Sequence, residues 1–377
     1  YVINSCTVTA SGDKKTRQLL RRLKKQNPAA VAALTGCFPQ AFPDAAEAIP
    51  EADVITGSSN RGDVLPAVKE ALATGKRVVR ILPHERGEKF EHMSVTGLRG
   101  RTRAFVKIED GCDRYCSYCI IPKARGPVRS KPLNEIREEL SALAENGYRE
   151  VVLVGVNLSS YGKEIGLRLI DAVQAACRTE GIRRVRLGSL EPELLTAEDI
   201  RAMAAEEKFC PQFHLSLQSG CDKTLREMNR HYDSAEYARI VSDIRAAFEN
   251  PSITTDVMVG FAGETEADFE ESLSFVQKIG FAKVHVFSYS RRPGTSADKR
   301  PGQVPSSVKE ERSRRMIEAT DATRKQFLLG QLGKTEEVLV ETTKSPLGYE
   351  GFTKNYTPVY VSCDPALCGN VVKMRLE

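Results

Sequence analysis

The sequence predicts an α/β chain in three parts. These are an open α/β N-terminal domain, a larger central domain whose six strands suit an open partial (β/α)6 barrel, and a small all-β C-terminal domain. Three observations carry this. Strand-like and helix-like runs alternate from Tyr1 to about residue 82, the alternation restarts with greater regularity at Arg103, and after Gly333 it gives way to short strands parted by Gly, Pro and Asn. The 377 residues suffice for two or three domains at roughly 100–200 residues each.

In the first part, residues 1–82, the apolar run 1–3 is a strand closed by Asn4-Ser5-Cys6-Thr7. A basic amphipathic helix follows, with Leu19, Leu20 and Leu23 on one side. Residues 31–34 form a second strand, ended by Thr35-Gly36-Cys37, and 52–57 a third. Cys6 and Cys37 therefore both fall just past the carboxyl end of a strand, the edge at which open α/β sheets bind ligands. The polar stretch 83–102, with Pro83, Gly87, Gly97 and Gly100, reads as a linker. The central part, 103–331, has strands at 104–109, 151–156, 183–187, 213–217, 253–259 and 283–287. Its helices fall at 135–144, 167–178, 197–205, 234–248 and 266–279, with one long charged helix at 307–331. Six strands fall short of the eight that close a (β/α)8 barrel. In the last part, 332–377, strands at 338–342, 348–351 and 358–361 make the small β domain. Tyr349, Phe352, Tyr356 and Tyr360 are there either base-stacking residues or the domain's own core. The chain starts and stops in strand-like runs, so the first domain is expected to be truncated at its start, and the end of the β domain is left open.

Composition narrows the classes. Hydrophobic residues at 41% and charged residues at 28% exclude disordered and collagen-like chains. No uncharged apolar run approaches the roughly 18–20 residues of a membrane span, so no membrane partner is expected. Trp is absent and aromatics are 7%, which argues against a large stacking surface. A net charge of +5 is compatible with a polyanionic partner. Seven of the twelve residues from Lys14 to Lys25 are cationic, which suits either a solvated helix face or a nucleic-acid contact.

Three of the ten cysteines, Cys112, Cys116 and Cys119, lie within eight residues. Clustered thiols in a large chain point to metal ligands in a reducing compartment, so a cytoplasmic location is expected. Cys177, Cys210 and Cys221 are expected to be free thiols, and Cys363 and Cys368 are left open between pairing, metal and neither. The segment Gly111-Cys112-Asp113-Arg114-Tyr115-Cys116-Ser117-Tyr118-Cys119 follows the first strand of the central part with Cys-x3-Cys-x2-Cys spacing. Three thiolates in one loop can hold three irons of a cubane [4Fe–4S] cluster. A structural zinc wants a fourth ligand close by, and neither a second Cys-x2-Cys nor any His before His214 follows. A cluster with one unligated iron can bind a small molecule.

This segment resembles the signature of the radical S-adenosylmethionine (SAM) enzymes. The resemblance implies that the open iron chelates SAM and that an electron from the cluster cleaves it to methionine and a 5′-deoxyadenosyl radical. Within that superfamily, Asn4-Ser5-Cys6-Thr7-Val8-Thr9 and Thr35-Gly36-Cys37-Phe38-Pro39-Gln40 are similar to the N-terminal domain of the methylthiotransferases. So are residues 103–131, Phe213-His214-Leu215-Ser216-Leu217-Gln218-Ser219-Gly220, and 256–265, where Ala262 replaces the usual Pro. With 187–192 and 228–232, the N-terminal segments look most like the branch acting on threonylcarbamoyladenosine in tRNA. The branches acting on isopentenyladenosine of tRNA and on a ribosomal protein remain alternatives, as does a non-catalytic RNA-binding protein with a structural metal.

The resemblance implies two [4Fe–4S] clusters. One is held by Cys112, Cys116 and Cys119, the catalytic set; the other takes Cys6 and Cys37 plus a ligand expected upstream of Tyr1. It implies SAM contacts from Tyr118, Gly155, Asn157, Ser189, Glu191 and Gln218, each of which could equally be structural. Lys123, Arg125, Arg129 and Lys131 are the cations expected to meet RNA phosphate beside the cluster loop. The β domain resembles a TRAM domain, an OB-like RNA-binding unit. The implied partners are a tRNA anticodon loop, with methylthiolation at C2 of the modified adenosine at position 37, and an electron donor such as a flavodoxin or ferredoxin. A monomer or weak dimer is expected.

Overall fold

The computed structural model describes residues 1–92, 97 and 101–377. Most of the expected linker's centre, 93–96 and 98–100, lies outside the described residues. The chain forms two compact units.

The first unit gathers three stretches, Tyr1–Glu88, Gly111–Val128 and Ser290–Pro301. Its sheet is parallel, with strands β1 (Val2–Ser5), β2 (Ala33–Gly36), β3 (Val54–Thr56) and β4 (Val78–Arg80) in sequence order. The sequence reading found the first three; β4 is short, and only Val78 of its residues is buried. Helix α1 (Ala10–Gln26) starts at Thr9, whose side chain accepts from the Gly12 amide. Leu20 is buried, and Leu19 and Leu23 pack beside it on Ile3, Leu34, Phe38 and Ile55. The short helices α2 (Cys37–Ala41) and α3 (Pro43–Glu47), then α4 (Val64–Thr74) and α5 (Ile121–Arg125), complete the unit. Part of the expected linker belongs to this unit, because His84 is held between Ser58 Oγ at 3.1 Å and Glu88 Oε2 at 2.7 Å.

The second unit holds the six expected parallel strands. β5 (Arg103–Lys107) is followed by the short antiparallel pair β6 (Glu109–Asp110) and β7 (Arg129–Ser130), then by β8 (Glu150–Val154) and β9 (Arg184–Leu187). After β10 (Ser189–Leu190) come β11 (Gln212–Leu215), β12 (Ser252–Val259) and β13 (Lys283–Ser288). Pairing runs β5-β8-β9 and β10-β11-β12-β13, and a parallel bridge from Val185 to Phe209 joins the two sets. Helices α6 (Leu133–Glu145), α7 (Leu169–Arg178), α8 (Ala197–Ala204), α9 (Asp222–Glu227), α10 (Ser234–Ala247), α11 (Glu266–Ile279) and α12 (Ser306–Leu329) intervene or follow. Alternate strand residues such as Val151, Leu153, Val185, Phe213, Leu215 and Val257 are buried in one continuous apolar core with these helices.

The C-terminal strands β14 (Thr335–Ser345), β15 (Gly348–Thr353), β16 (Pro358–Val361) and β17 (Val371–Arg375) form an antiparallel sheet in the order β16-β15-β14-β17. The sheet meets the amino ends of the parallel strands. There Glu150 is ringed by Arg184 Nε at 2.8 Å, Arg186 Nε at 3.2 Å and Arg103 Nη1 at 3.7 Å. Arg184 also donates to the carbonyls of Phe352 and Thr353, at 3.1 and 2.6 Å, and Arg186 to that of Lys354 at 3.0 Å. Phe352 and Tyr356 stack on each other at 4.5 Å, and the Arg103 guanidinium covers both rings. These two rings are thus occupied within the protein.

Candidate functional site

The cysteine loop is shaped by two glycines. Gly111 has φ +89°, and a Cβ there would meet the Pro127 carbonyl oxygen at 1.9 Å. Gly126 has φ +71°, and its Cβ would fall on the His84 side chain. Between them the Cys112 amide donates to Gly126 O at 3.0 Å, and the Cys119 amide closes a turn on Cys116 O at 2.9 Å. Ser117 O accepts from the Ala297 amide at 2.8 Å, which fastens the loop to the returning stretch Ser290–Pro301. Cys112, Cys116 and Cys119 are all half-buried and in no disulfide, and the Ile121 amide donates to Cys119 Sγ at 3.4 Å. Three soft sulfur donors and an amide aimed at one of them suit a cubane's thiolate-ligated irons. Among the described residues no three His, Cys, Asp or Glu side chains close around a single ion. A cubane does not require that, since each thiolate takes a different iron. Tyr118 is half-buried, while Tyr115 is exposed at φ +50°. A cavity of about 690 Å³ with mixed polar and apolar walls opens on this side of the loop, lined in part by Gln40, His84, Arg86, Tyr115, Lys123 and Pro127.

The first unit also brings Cys6 and Cys37 to one edge. β1 and β2 pair in register up to Ser5 opposite Gly36, so the two cysteines leave adjacent strand ends together. Gly36, at φ +98°, approaches Asn4 and Ser5 so closely that a Cβ would lie 2.4 Å from Asn4 Oδ1. Cys6 is exposed and Cys37 buried. Cys37 packs against Ile120 and Ala124 of the segment that follows the cysteine loop, and Arg125 Nε donates to Cys37 Sγ at 3.1 Å. The chain just past Cys6 is held by a buried network. Arg292 Nη2 donates to Thr7 Oγ1 and to Asp13 Oδ2, both at 2.7 Å, and Thr7 Oγ1 donates to Asp13 Oδ1 at 2.7 Å. Local patterning gave no sign of Arg292, because its partner lies nearly 280 residues away in the chain.

In the second unit the remaining candidates follow strand ends, as expected. Gly155 and Asn157 follow β8, Ser189 and Glu191 lie just past β9, and Gln218 follows β11. The loop 155–157 rests on Glu109, a residue the sequence reading passed over. Asn157 N donates to Glu109 Oε2 at 2.7 Å, and a Cβ on Gly155 would sit 2.5 Å from that oxygen. Glu109 is fully buried, and its Oε1 has no hydrogen-bond partner among the described residues. Burial pushes its carboxyl up to about 8, against the pull of the Asn157 amide. Ser189 is exposed. Glu191 is gripped at both oxygens by the buried Arg230, with Nη1 to Oε1 at 3.2 Å. Gln218 is buried at φ +67°, a left-handed backbone for a non-glycine residue, held by Gln218 N to Asp256 O and Met258 N to Gln218 O, both at 2.8 Å.

Two of the expected RNA-contacting cations are engaged by carboxylates within the protein. Arg129 is buried and paired with Asp110 at 3.5 Å, and Lys131 is buried against Glu139. A buried cation with a carboxylate partner is not offered to phosphate. Arg125 is engaged with Cys37, and Lys123 is exposed with its ammonium 5.4 Å from the Phe42 ring.

Comparison with known proteins agrees with this arrangement. Residues 106–276 match the radical SAM superfamily, and residues 1–57 match an uncharacterised protein family, UPF0004. A Bacillus subtilis protein named threonylcarbamoyladenosine tRNA methylthiotransferase MtaB is 33% identical over all of this chain and 85% of its own length. A Thermotoga maritima protein of the same name is 37% identical over 90% of this chain and 78% of its own. A tRNA-2-methylthio-N(6)-dimethylallyladenosine synthase of Pelotomaculum thermopropionicum is 36% identical over 100% of this chain and 86% of its own. Among solved structures, the radical SAM methyltransferase TsrM of Kitasatospora setae superposes with a TM-score of 0.60 at 14% identity, over 79% of this chain and 65% of that one, a likeness of fold. No described helix is long and apolar enough to cross a membrane. Thiols on a glycine-bounded loop, a radical SAM match over residues 106–276 and relatives matched along most of their length converge: the chain belongs to the radical SAM methylthiotransferase family.

Proposed function

We propose that this enzyme methylthiolates C2 of N6-threonylcarbamoyladenosine at position 37 of tRNA, using a SAM-binding [4Fe–4S] cluster on Cys112, Cys116 and Cys119 and a second cluster to which Cys6 and Cys37 contribute. The observation that carries the reading is that both cysteine sets belong to one compact unit, with the segment after the cysteine loop packed on Cys37. Arg125, six residues past Cys119, donates to Cys37 Sγ at 3.1 Å, within one compact unit. A reaction that joins a sulfur donor to a radical carbon needs both at one substrate atom. The likeness to chains named for threonylcarbamoyladenosine supports the choice of substrate.

When bound, the cluster and SAM supply the 5′-deoxyadenosyl radical that removes the unactivated C2 hydrogen, a step beyond acid–base chemistry. The chain's own residues bind and orient. The Ile121 amide stabilises charge on Cys119 Sγ. The loop 155–157, set on Glu109, is proposed to meet the amino-acid end of SAM. Ser189, Glu191 and Gln218 line the strand ends beside it, and Tyr118 is proposed to lie against the adenine. Lys123 is the cation of the expected set left exposed for RNA. The division into domains 1–82, 103–331 and a TRAM-like 332–377, and an external flavodoxin or ferredoxin donor, belong to the same proposal.

Nucleoside mass spectrometry of tRNA from a strain lacking the gene tests it. Loss of the methylthio form of threonylcarbamoyladenosine, with the isopentenyl counterpart intact, is expected. The reverse pattern would move the substrate to dimethylallyladenosine, on which the similarly close Pelotomaculum relative is named to act.

A further inference from the structure

We infer that helix α1 carries a phosphate-tracking face for RNA, formed by Lys14, Lys15, Arg22 and Lys25. The inference rests on the tRNA reading above and adds a binding surface to it.

The seven cations of α1 fall into two groups. Three are occupied by the protein: Lys24 bonds Asp53 Oδ2 at 2.6 Å and Ala30 O at 2.7 Å, Arg21 lies 3.4 Å from Glu51, and the Arg17 guanidinium sits 5.8 Å from the Phe38 ring. The other four are exposed and have no partner among the described residues. They lie at positions i, i+1, i+8 and i+11 along the helix and run for about 17 Å at 1.5 Å per residue. The face between them presents Gln18 and Arg21, also exposed, and no acidic side chain. The helix's one acid, Asp13, is turned inward and consumed by Arg292 and Thr7.

The arrangement is unfavourable for the helix itself. Arg17 with Arg21 and Arg21 with Lys25 are like-charge i,i+4 pairs, each costing roughly 0.2–0.5 kcal/mol. The other long, charged helix shows what self-neutralisation looks like. On α12, Arg314 pairs with Glu311 at 2.8 Å and Glu318 at 3.2 Å, and Arg315 with Glu266 at 2.6 Å. A row of uncompensated cations of this length matches one side of a short nucleic-acid backbone. Its amino end begins four residues after Cys6 and is fixed there by the buried Thr7–Asp13–Arg292 network, so the row is rigidly tied to the exposed cysteine.

The test is the salt dependence of tRNA binding by the reconstituted full chain carrying K14Q, K15Q, R22Q and K25Q together. Each phosphate contact contributes about 0.7–0.9 to the log–log slope, so the slope should fall by about 3 and affinity at low salt by at least about tenfold. Melting temperature should not fall, and dithionite-driven SAM cleavage without tRNA should be unchanged. The charge-preserving variant K14R, K15R, R22K and K25R should keep the wild-type slope. An unchanged slope in the glutamine variant, with wild type binding tRNA, would overturn the inference and leave the function standing. Normal tRNA binding with slowed reduction by flavodoxin would also overturn it, giving the face to an electron donor. If wild type binds no tRNA, the functional reading fails with it.

Discussion

Glu109 shows how a single side chain can shape a site that no motif marks. It lies three residues before Cys112, accepts from the Asn157 amide and leaves Gly155 no room for a Cβ. Its folded-state pKa of about 8 exceeds the ordinary 4.5, so folding favours the protonated form. The stability this group contributes is complete below about pH 4.5 and is lost as pH rises through about 8, by up to ~1.4 kcal/mol per pH unit. Glu109→Gln keeps an acceptor oxygen without the charge. Denaturant melts at pH 5, 7 and 9 should show a flatter pH profile for it than for wild type. Glu109→Ala should instead loosen the loop 155–157 and raise the SAM concentration needed for half-maximal cleavage by about tenfold, the worth of one buried hydrogen bond. At the cysteine loop, Ala at any one of Cys112, Cys116 or Cys119 should abolish 5′-deoxyadenosine formation, because two thiolates do not hold a reducible cubane. Cleavage surviving in a single variant would refute that ligand set. The thiol spacing was legible because its three members are local in sequence. The burial of Arg129 and Lys131 was not, because Asp110 and Glu139 become their partners only in the folded chain.

Among the elements, β8 links two buried networks. Its first residue, Glu150, anchors three guanidiniums and, through Arg184 and Arg186, the carbonyls of Phe352, Thr353 and Lys354. Its other end runs into Gly155 and Asn157. Burial alone would raise the Glu150 carboxyl, but Arg186, Arg184 and Arg103 outweigh it and hold the value below normal. This contribution is present above the ordinary carboxylate range and is lost as pH falls through the lowered value. Glu150→Gln leaves three buried cations short of a counter-charge and should cost about 3–5 kcal/mol, read as a lower melting temperature. Pairing it with Arg184→Met should recover part of the loss. A neutral Glu150→Gln variant would mean that water, not the carboxylate, compensates these arginines.

At the scale of the whole molecule, the repeated strand–helix pattern made the six parallel strands readable, because buried strands and amphipathic helices write their periods into the chain. What it could not carry was which distant stretches share a unit. The cysteine loop and residues Ser290–Pro301 join Tyr1–Glu88, although the alternation places both within the longer β/α series. That return has a consequence for synthesis. Asp13 is buried, and Arg292, its buried partner, leaves the ribosome about 280 residues later, on the order of 15–55 s at roughly 5–20 residues per second. Until then the nascent N-terminal sheet must keep this carboxylate hydrated or exposed, so it cannot reach its final packing. Chains released before residue 292 should therefore be protease-sensitive from their amino ends, and chains extended just past Pro301 should become resistant there.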